Sequence, residues 1–304
     1  LEAAPADHHL VLWCADWSSF ATGACGGDVK AIQSGYALLV EALRAIAPAA
    51  MGRVQVVMQG EAILKDPSQY WISVINVGRH FQLQRVREVD EGNDYAGQVI
   101  SSLMHVGDVL TTGASLLLGG PAEEGLHRLA ADYYKEAGVT EIPLPRVETR
   151  APVSSLLKAT LPKAGDAAAA EAAEAPLQAD DELYLLDGTM DVGRKMKRAF
   201  CEPGNVADCP PLVLAEAVAL RSGGLTIARK PENGGDKVYT AADELRADFA
   251  SGALHPGDLK PAVTKAVDAV LQLVRDRCKS VEAARKAEGD VRAFLKKSAA
   301  KKKK

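Results

Sequence analysis

Apolar residues in the first half of the chain come either in short unbroken runs or in helical stripes. Leu10-Val11-Leu12-Trp13-Cys14-Ala15 is an unbroken run of strand length. A run that does not alternate suits a strand of a parallel sheet, which is covered on both faces. Gly23 to Gly27 predicts a loop. Asp28 predicts a cap for a helix whose apolar positions recur at Ile32, Tyr36, Leu39, Val40 and Leu43. Val54-Gln55-Val56-Val57-Met58 predicts a second strand, so the first fifty-odd residues read as strand, helix, strand, a βαβ unit. Lys65-Asp66-Pro67-Ser68 opens a further helix running through Trp71, Ile72, Val74, Ile75 and Phe81, and residues 98–109 predict another. Ala114 to Gly120 is strand-like and ends in a glycine turn. Residues 123–137 return to helix, with Leu126, Leu129, Ala130 and Tyr133 on one face.

The pattern changes after Lys163. Ala167 to Ala175 is built of alanine and glutamate alone and reads either as a short exposed helix or as a linker. Leu183 to Asp187 then predicts a strand or a packed entry segment. Asp191 caps a basic helix to Phe200, and Leu212 to Leu220 is helical. Leu225 to Ala228 is extended, and Thr240 caps a helix through Leu245 and Phe249 with Asp243 three residues on. Leu259, Val263, Val267, Val270, Leu271 and Val274 form one amphipathic stripe. Beyond Ser280 an alanine-rich charged helix is expected to fray into a lysine tail.

The expected fold class is α/β, with a sheet-based domain at 1–162, an insertion or linker at 163–182, a mainly helical domain at 183–280 and a basic tail at 281–304. The 304 residues suffice for about two domains. With 47% hydrophobic and 25% charged residues, the mix is that of an ordinary globular protein. No apolar run approaches the ~20 residues of a membrane span. The five cysteines lack any Cys-x-x-Cys spacing, which disfavours zinc and points to a reducing, cytoplasmic compartment. The net charge of −4 is no general attractant for nucleic acid, so any such role rests on local basic stretches such as Lys195-Met196-Lys197-Arg198 and the lysine-rich end. Gly119-Gly120 matches neither phosphate-loop pattern. His105 and His127 stand singly on helices, where a surface or core role is commoner than catalysis, and no catalytic or metal constellation emerges from the first half.

Three motifs in the second half carry the most specific information. They are Ala199-Phe200-Cys201-Glu202-Pro203-Gly204-Asn205-Val206, then Lys230-Pro231-Glu232-Asn233-Gly234-Gly235-Asp236-Lys237-Val238-Tyr239, then Leu254-His255-Pro256-Gly257-Asp258-Leu259-Lys260. In this order and spacing they resemble the anticodon-binding domain of tyrosyl-tRNA synthetases of the eukaryotic and archaeal type. The resemblance implies that Asp258 accepts hydrogen bonds from the N–H groups of the first anticodon base, a guanine, that His255 stacks on it, and that Cys201 and Pro203 lie beside it. Base reading of this kind needs an unstacked base, a stacking surface and an edge-reading group. From local chemistry alone, Asp258 is equally an N-cap for a helix starting at Leu259. Lys195, Lys197 and Arg198 are either phosphate contacts or a solvated basic face. Asn233 stands where the family often has an aromatic residue, which leaves the stacking one-sided.

The first half resembles the same family's class I catalytic domain, a Rossmann-like fold, with its chemistry removed. The HIGH-type motif falls before Leu1, and no KMSKS-type loop stands between Pro145 and Leu183; Ser154-Ser155-Leu156-Leu157-Lys158 is a poor remnant. Gly119-Gly120 resembles the centre of Gln-x-Gly-Gly-x-Asp-Gln, but the first glutamine is Leu117, the aspartate is Ala122 and the last glutamine is Glu123. The Tyr-x-x-x-Gln-x-x-Asp helix resembles Ser101 to Asp108, with Ser101 for tyrosine and His105 for glutamine; only Asp108 survives. A pocket that reads a hydroxyl depends on such partners for its discrimination. The resemblance therefore implies a vestigial tyrosine pocket (Ser101, His105, Asp108, Leu117, Ala122), no catalytic residue and no cofactor in this half. ATP and Mg are expected in an active partner half, fused or separate, that meets this chain through the catalytic-domain dimer surface. The expected partners are tRNA-Tyr and that half, with no membrane. The alternatives are an active diverged synthetase completed by an upstream segment, and a scaffold that binds no RNA.

Overall fold

The computed structural model describes residues 5, 7–89, 95–149, 156, 182–220, 223–229, 232 and 234–301. The chain divides into two compact units, one of residues 1–152 with 280–304 and one of residues 153–279.

In the first unit, strand β1 (Leu10–Cys14) pairs in parallel with β2 (Val54–Met58), Leu10 opposite Val54 and Cys14 opposite Met58. Parallel neighbours need a crossover, and helix α1 (Val29–Ile46) lies on it, as the βαβ pattern predicted. Asp28 caps α1 by accepting from the Ala31 N–H at 3.1 Å. Asp66 does the same for helix α2 (Pro67–His80), accepting from Gln69 at 3.1 Å. Helix α3 (Ala96–Thr112) packs on α2 and on helix α4 (Glu124–Glu136). Strand β3 (Leu116–Gly119) pairs in parallel with β4 (Arg146–Thr149). These parallel strands and their helices make the unit α/β. Its largest buried cluster joins Val77, Val86, Val106, Val109, Leu129 and Tyr134.

Two features of this unit depart from the sequence reading. Ile72 and Ile75 belong to the expected apolar stripe of α2, yet they are 54% and 59% exposed, while Tyr70, Val74 and Val77 face the core. The helix expected beyond Ser280 is present, but its packing was not foreseen. Helix α9 (Glu282–Lys301) packs along α1, burying Ala284 and Ala287 and pairing Asp290 with Lys30 at 3.0 Å. Small residues on one face of α9 allow this close approach.

The second unit is mainly helical. Helices α5 (Thr189–Arg198), α6 (Pro210–Leu214, continued as a π-turn over Ala215–Ala219), α7 (Ala242–Ser251) and α8 (Pro256–Ser280) surround a core that includes Val192, Met196, Leu212, Leu245, Phe249, Leu254, Leu259 and Val263. Against it lies an antiparallel pair, β5 (Leu225–Ile227) with β6 (Lys237–Tyr239). Two expected caps move. Helix α5 begins at Thr189, so Asp191 sits inside its first turn and accepts from the Gly188 N–H at 3.2 Å. Helix α7 begins at Ala242, with Ala241 rather than Thr240 at its start. Leu183 to Asp187 forms a turn, closed by the Asp187 N–H donating to the Tyr184 carbonyl at 3.0 Å. The alanine-rich stretch of 167–175 lies outside the described residues.

Candidate nucleic-acid interface

The three motifs of the second half meet through backbone-directed contacts. The first forms the loop between α5 and α6. The Asn205 N–H donates to the Glu202 carbonyl at 3.2 Å, and the Asn205 side chain accepts from the Asp208 N–H at 3.0 Å. Gly204 holds φ +75°, left-handed backbone that glycine adopts without strain and that disfavours any other residue there. The second motif is tied by Arg229, immediately before it. Its N–H donates to Asp236 Oδ1, its Nε to the Gly235 carbonyl and its Nη1 to the Ala253 carbonyl, each at 3.0 Å. Ala253 leads directly into the third motif, so one guanidinium fixes the second motif against the third. Lys260 of the third motif donates to the Lys197 carbonyl at 3.1 Å, which joins it to the end of α5 where the first motif begins.

The hairpin is anchored separately. Lys237 and the Tyr239 hydroxyl both meet Asp248 of α7 at 2.6 Å, and Lys237 also pairs with Glu244 at 2.9 Å. The Lys237 and Tyr239 bonds hold the Asp248 carboxyl below its ordinary pKa, and burial pushes the Tyr239 hydroxyl up to about 12.

The third motif decides what Asp258 can do. Helix α8 starts at Pro256, a residue whose missing N–H costs nothing at a first helical position. The cap is His255, whose Nδ1 accepts from the Gly257 N–H at 3.0 Å. Asp258 is the third residue of the helix, its N–H donating to the His255 carbonyl at 2.9 Å. Asp258 is therefore not the N-cap of a helix from Leu259, because that position is already inside the helix. Its half-buried carboxylate makes no hydrogen bond or ion pair among the described residues. The positive end of α8 favours a negative group there. His255 and Pro203 are exposed, and Cys201 is half-buried with its Sγ 3.3 Å from Cys209 Sγ. Lys230, Pro231 and Asn233 lie outside the described residues, and so does the question of one-sided stacking.

One expected contact is redirected. Lys195 is 2% exposed, its ammonium 2.8 Å from both oxygens of buried Asp187 and 4.4 Å above the Tyr184 ring. It faces the core side of α5 and offers nothing to a phosphate. Lys197 and Arg198 stay on the exposed side.

In the first unit, the five residues of the expected tyrosine pocket differ in burial and in partners. Asp108 is buried and fully engaged. Gln59 Nε2 donates to its oxygens at 3.0 and 2.8 Å, and the Tyr70 hydroxyl donates at 2.7 Å. Burial pushes the Asp108 carboxyl up to about 7 against the pull of those bonds. The His105 ring stacks on that of His127 with centroids 5.0 Å apart. Burial, and then the neighbouring His127, lower His105 to about 4; burial lowers His127 as well. Leu117 has joined the hydrophobic core, Ala122 is exposed, and Ser101 is half-buried on α3. Glu123 reaches back to the Gly120 N–H at 2.6 Å. Of the KMSKS-region remnant, only Leu156 is described; it is a core residue of the second unit. Gln59, Tyr70 and Arg229 escaped the sequence reading. Each lies outside the matched motifs, and nothing local marks its distant partner.

Among the described residues no helix is long and apolar enough to cross a membrane. No family model matches the chain. The tyrosine–tRNA ligase of Aeropyrum pernix is 28% identical over 276 residues, covering 86% of this chain and 74% of the relative. Cytoplasmic tyrosine–tRNA ligase 1 of Arabidopsis thaliana is 27% identical, covering 88% and 68%. The structure of Leishmania major tyrosyl-tRNA synthetase in complex with tyrosinol superposes with a TM-score of 0.74 at 29% identity, covering 95% of this chain but 39% of that one. Relatives and solved structures that cover most of the chain thus support the tyrosyl-tRNA synthetase family and a related function.

Proposed function

We propose that this chain is the anticodon-reading, catalytically silent half of a tandem-duplicated tyrosyl-tRNA synthetase in the cytoplasm. One contrast carries the reading. Among the described residues Asp258 has no hydrogen-bond or ion-pair partner at the start of α8, between tied loops, while buried Asp108 accepts from Gln59 and Tyr70. The guanine edge offers two N–H donors, and a carboxylate accepts both; His255 stacks on the base, with Cys201 and Pro203 beside it. Lys197 and Arg198 hold phosphates, a sequence-independent and salt-sensitive contribution. The residues of the first unit do not fit tyrosine, because Leu117 and Ala122 supply no hydrogen bond to a buried polar substrate. ATP, Mg and the ligation step therefore belong to the active half. Ile72 and Ile75, exposed on α2, are an apolar surface for the partner half.

The test is binding of tRNA-Tyr by this chain together with an active synthetase half. Asp258→Ala is compared with the native protein, and guanine with adenine at the first anticodon position. The expected result is loss of the guanine preference, by roughly 1–3 kcal/mol, the scale of one bidentate base contact. Equal binding by both proteins makes Asp258 a bystander and favours the RNA-free scaffold. Tyrosine-dependent pyrophosphate exchange by a form extended upstream, with no second half present, would instead assign the catalysis to this chain.

A further inference from the structure

The Cys201–Cys209 contact has no part in base reading as described above. The two sulfurs stand 3.3 Å apart across the first motif's loop, with one S–H donating to the other. Cys209 is buried at the start of α6, at 1% exposure, while Cys201 is half-buried and reachable from solvent. No third cysteine, histidine or carboxylate joins them in a metal-sized group among the described residues. Two thiols this close have one characteristic reaction with each other, oxidation to a disulfide.

We propose that Cys201 and Cys209 are a modification site, a thiol pair that a small hydroperoxide converts to a reversible disulfide at the edge of the three tied loops. The Cys201 sulfur attacks the peroxide O–O bond, forming a sulfenic acid and releasing hydroxide, which takes the thiol proton and leaves as water. The Cys209 sulfur then attacks the Cys201 sulfur. The S–S bond forms, the S–O bond breaks, and the second hydroxide leaves as water with the remaining proton. Two thiols and one hydrogen peroxide become one disulfide and two waters, the two electrons passing from sulfur to oxygen. The surroundings favour Cys209 as the resolving thiolate. The hydrogen bond from Cys201 pulls its thiol down against the push of burial, helped by the Leu212 N–H and the Lys260 ammonium. The same contact and burial push the Cys201 thiol up, so exposure rather than acidity makes Cys201 the sulfur that meets the peroxide. The other cysteines are poorly placed for this reaction. Burial pushes Cys14 up to about 11, Cys278 is buried, and exposed Cys25 is not paired with a second thiol.

Formation of the bond is independent of the RNA reading; its consequence rests on that reading. Closing the pair from 3.3 Å to the ~2.0 Å of a disulfide draws the Cys201 loop and α6 together and so reshapes the surface proposed to flank the base.

The experiment treats the reduced full chain with hydrogen peroxide at a few equivalents, alkylates free thiols under denaturing conditions, and maps tryptic peptides. Cys201 and Cys209 share the peptide 199–221, which contains no internal Lys or Arg. The expected result is loss of both alkyl groups from that peptide, a mass lower by two hydrogens, and full reversal by dithiothreitol. Cys209→Ser should instead leave Cys201 as a sulfenic acid trapped by dimedone, and Cys201→Ser should leave Cys209 alkylated. Two alkyl groups persisting after peroxide, or Cys201 cross-linked to Cys25, overturns the site. In a parallel measurement, the oxidised chain should bind a tRNA-Tyr anticodon stem-loop at least threefold more weakly than the reduced chain, with no such change in Cys209→Ser. A disulfide that forms without altering affinity overturns the coupling to the loop. If neither form binds the stem-loop, the anticodon reading fails while the mass shift still decides the disulfide.

Discussion

At the scale of single residues, the first unit holds two buried groups that titrate against each other. Asp108, lifted from 3.8 to about 7, favours its protonated form in the folded state. Its contribution to stability is complete below about pH 4 and is lost as pH rises through 7. His105, lowered from 6.5 to about 4, favours its neutral form, so its contribution is present above about pH 6.5 and is lost as pH falls through 4. Over pH 4–7 the two trends oppose, and the native unit should show a shallow dependence. Asp108→Asn removes one side, so its melting temperature should fall steadily between pH 7 and pH 4, steepened by His127. A profile parallel to the native one would mean that Asp108 ionises as an ordinary carboxylate. The Asp258 test belongs to this scale as well. The chemistry of an aspartate is the same at both positions, and what separates them is that Asp108 is hydrogen-bonded and Asp258 has no partner among the described residues.

At the scale of elements, helix α5 divides its basic residues between two tasks. Lys195 is locked to Asp187 inside the second unit, with side chains 3% and 9% exposed, and Lys197 faces out two residues later. Deleting one partner of a buried pair strands the other, which costs roughly 3–5 kcal/mol. Asp187→Ala should therefore lower the stability of the second unit on that scale in urea unfolding followed by hydrogen exchange. Lys197→Ala should change stability by no more than about 0.5 kcal/mol, and should instead weaken tRNA binding and lower its salt slope by about one. If Lys197→Ala leaves both affinity and slope unchanged, α5 contributes solvated charge only. The basic stretch was plain in the sequence, but its division was not. Which lysine turns inward depends on where α5 starts and which face meets Met196 and Val192, a matter of packing.

At the scale of the whole molecule, residues 280–304 return to the first unit after the chain has built the second. Removal of 281–304 should leave hydrogen-exchange protection in the second unit intact and lower that of the first. Two buried alanine methyls at about 0.8 kcal/mol each and the partly exposed Lys30–Asp290 pair at about 0.5 kcal/mol set a loss of about 2 kcal/mol. Unchanged protection along α1 would show that α9 rests on it without stabilising it.

The sequence by itself determined the parallel β1–β2 unit, the cap at Asp28, the helix opening at Asp66, most helices and the three motifs of the second half. All of these rest on local periodicity, on short-range hydrogen bonding, or on residues close together in the chain. Tertiary structure alone decided which polar groups are free. Gln59 and Tyr70 reach Asp108 across 49 and 38 residues, Arg229 reaches Ala253 across 24, and α9 finds α1 from the far end of the chain. Such pairings leave no periodic trace, because a hydrogen bond between distant residues constrains only two side chains. The start of α8 at Pro256, capped by His255, takes the capping role from Asp258, whose carboxylate has no partner among the described residues.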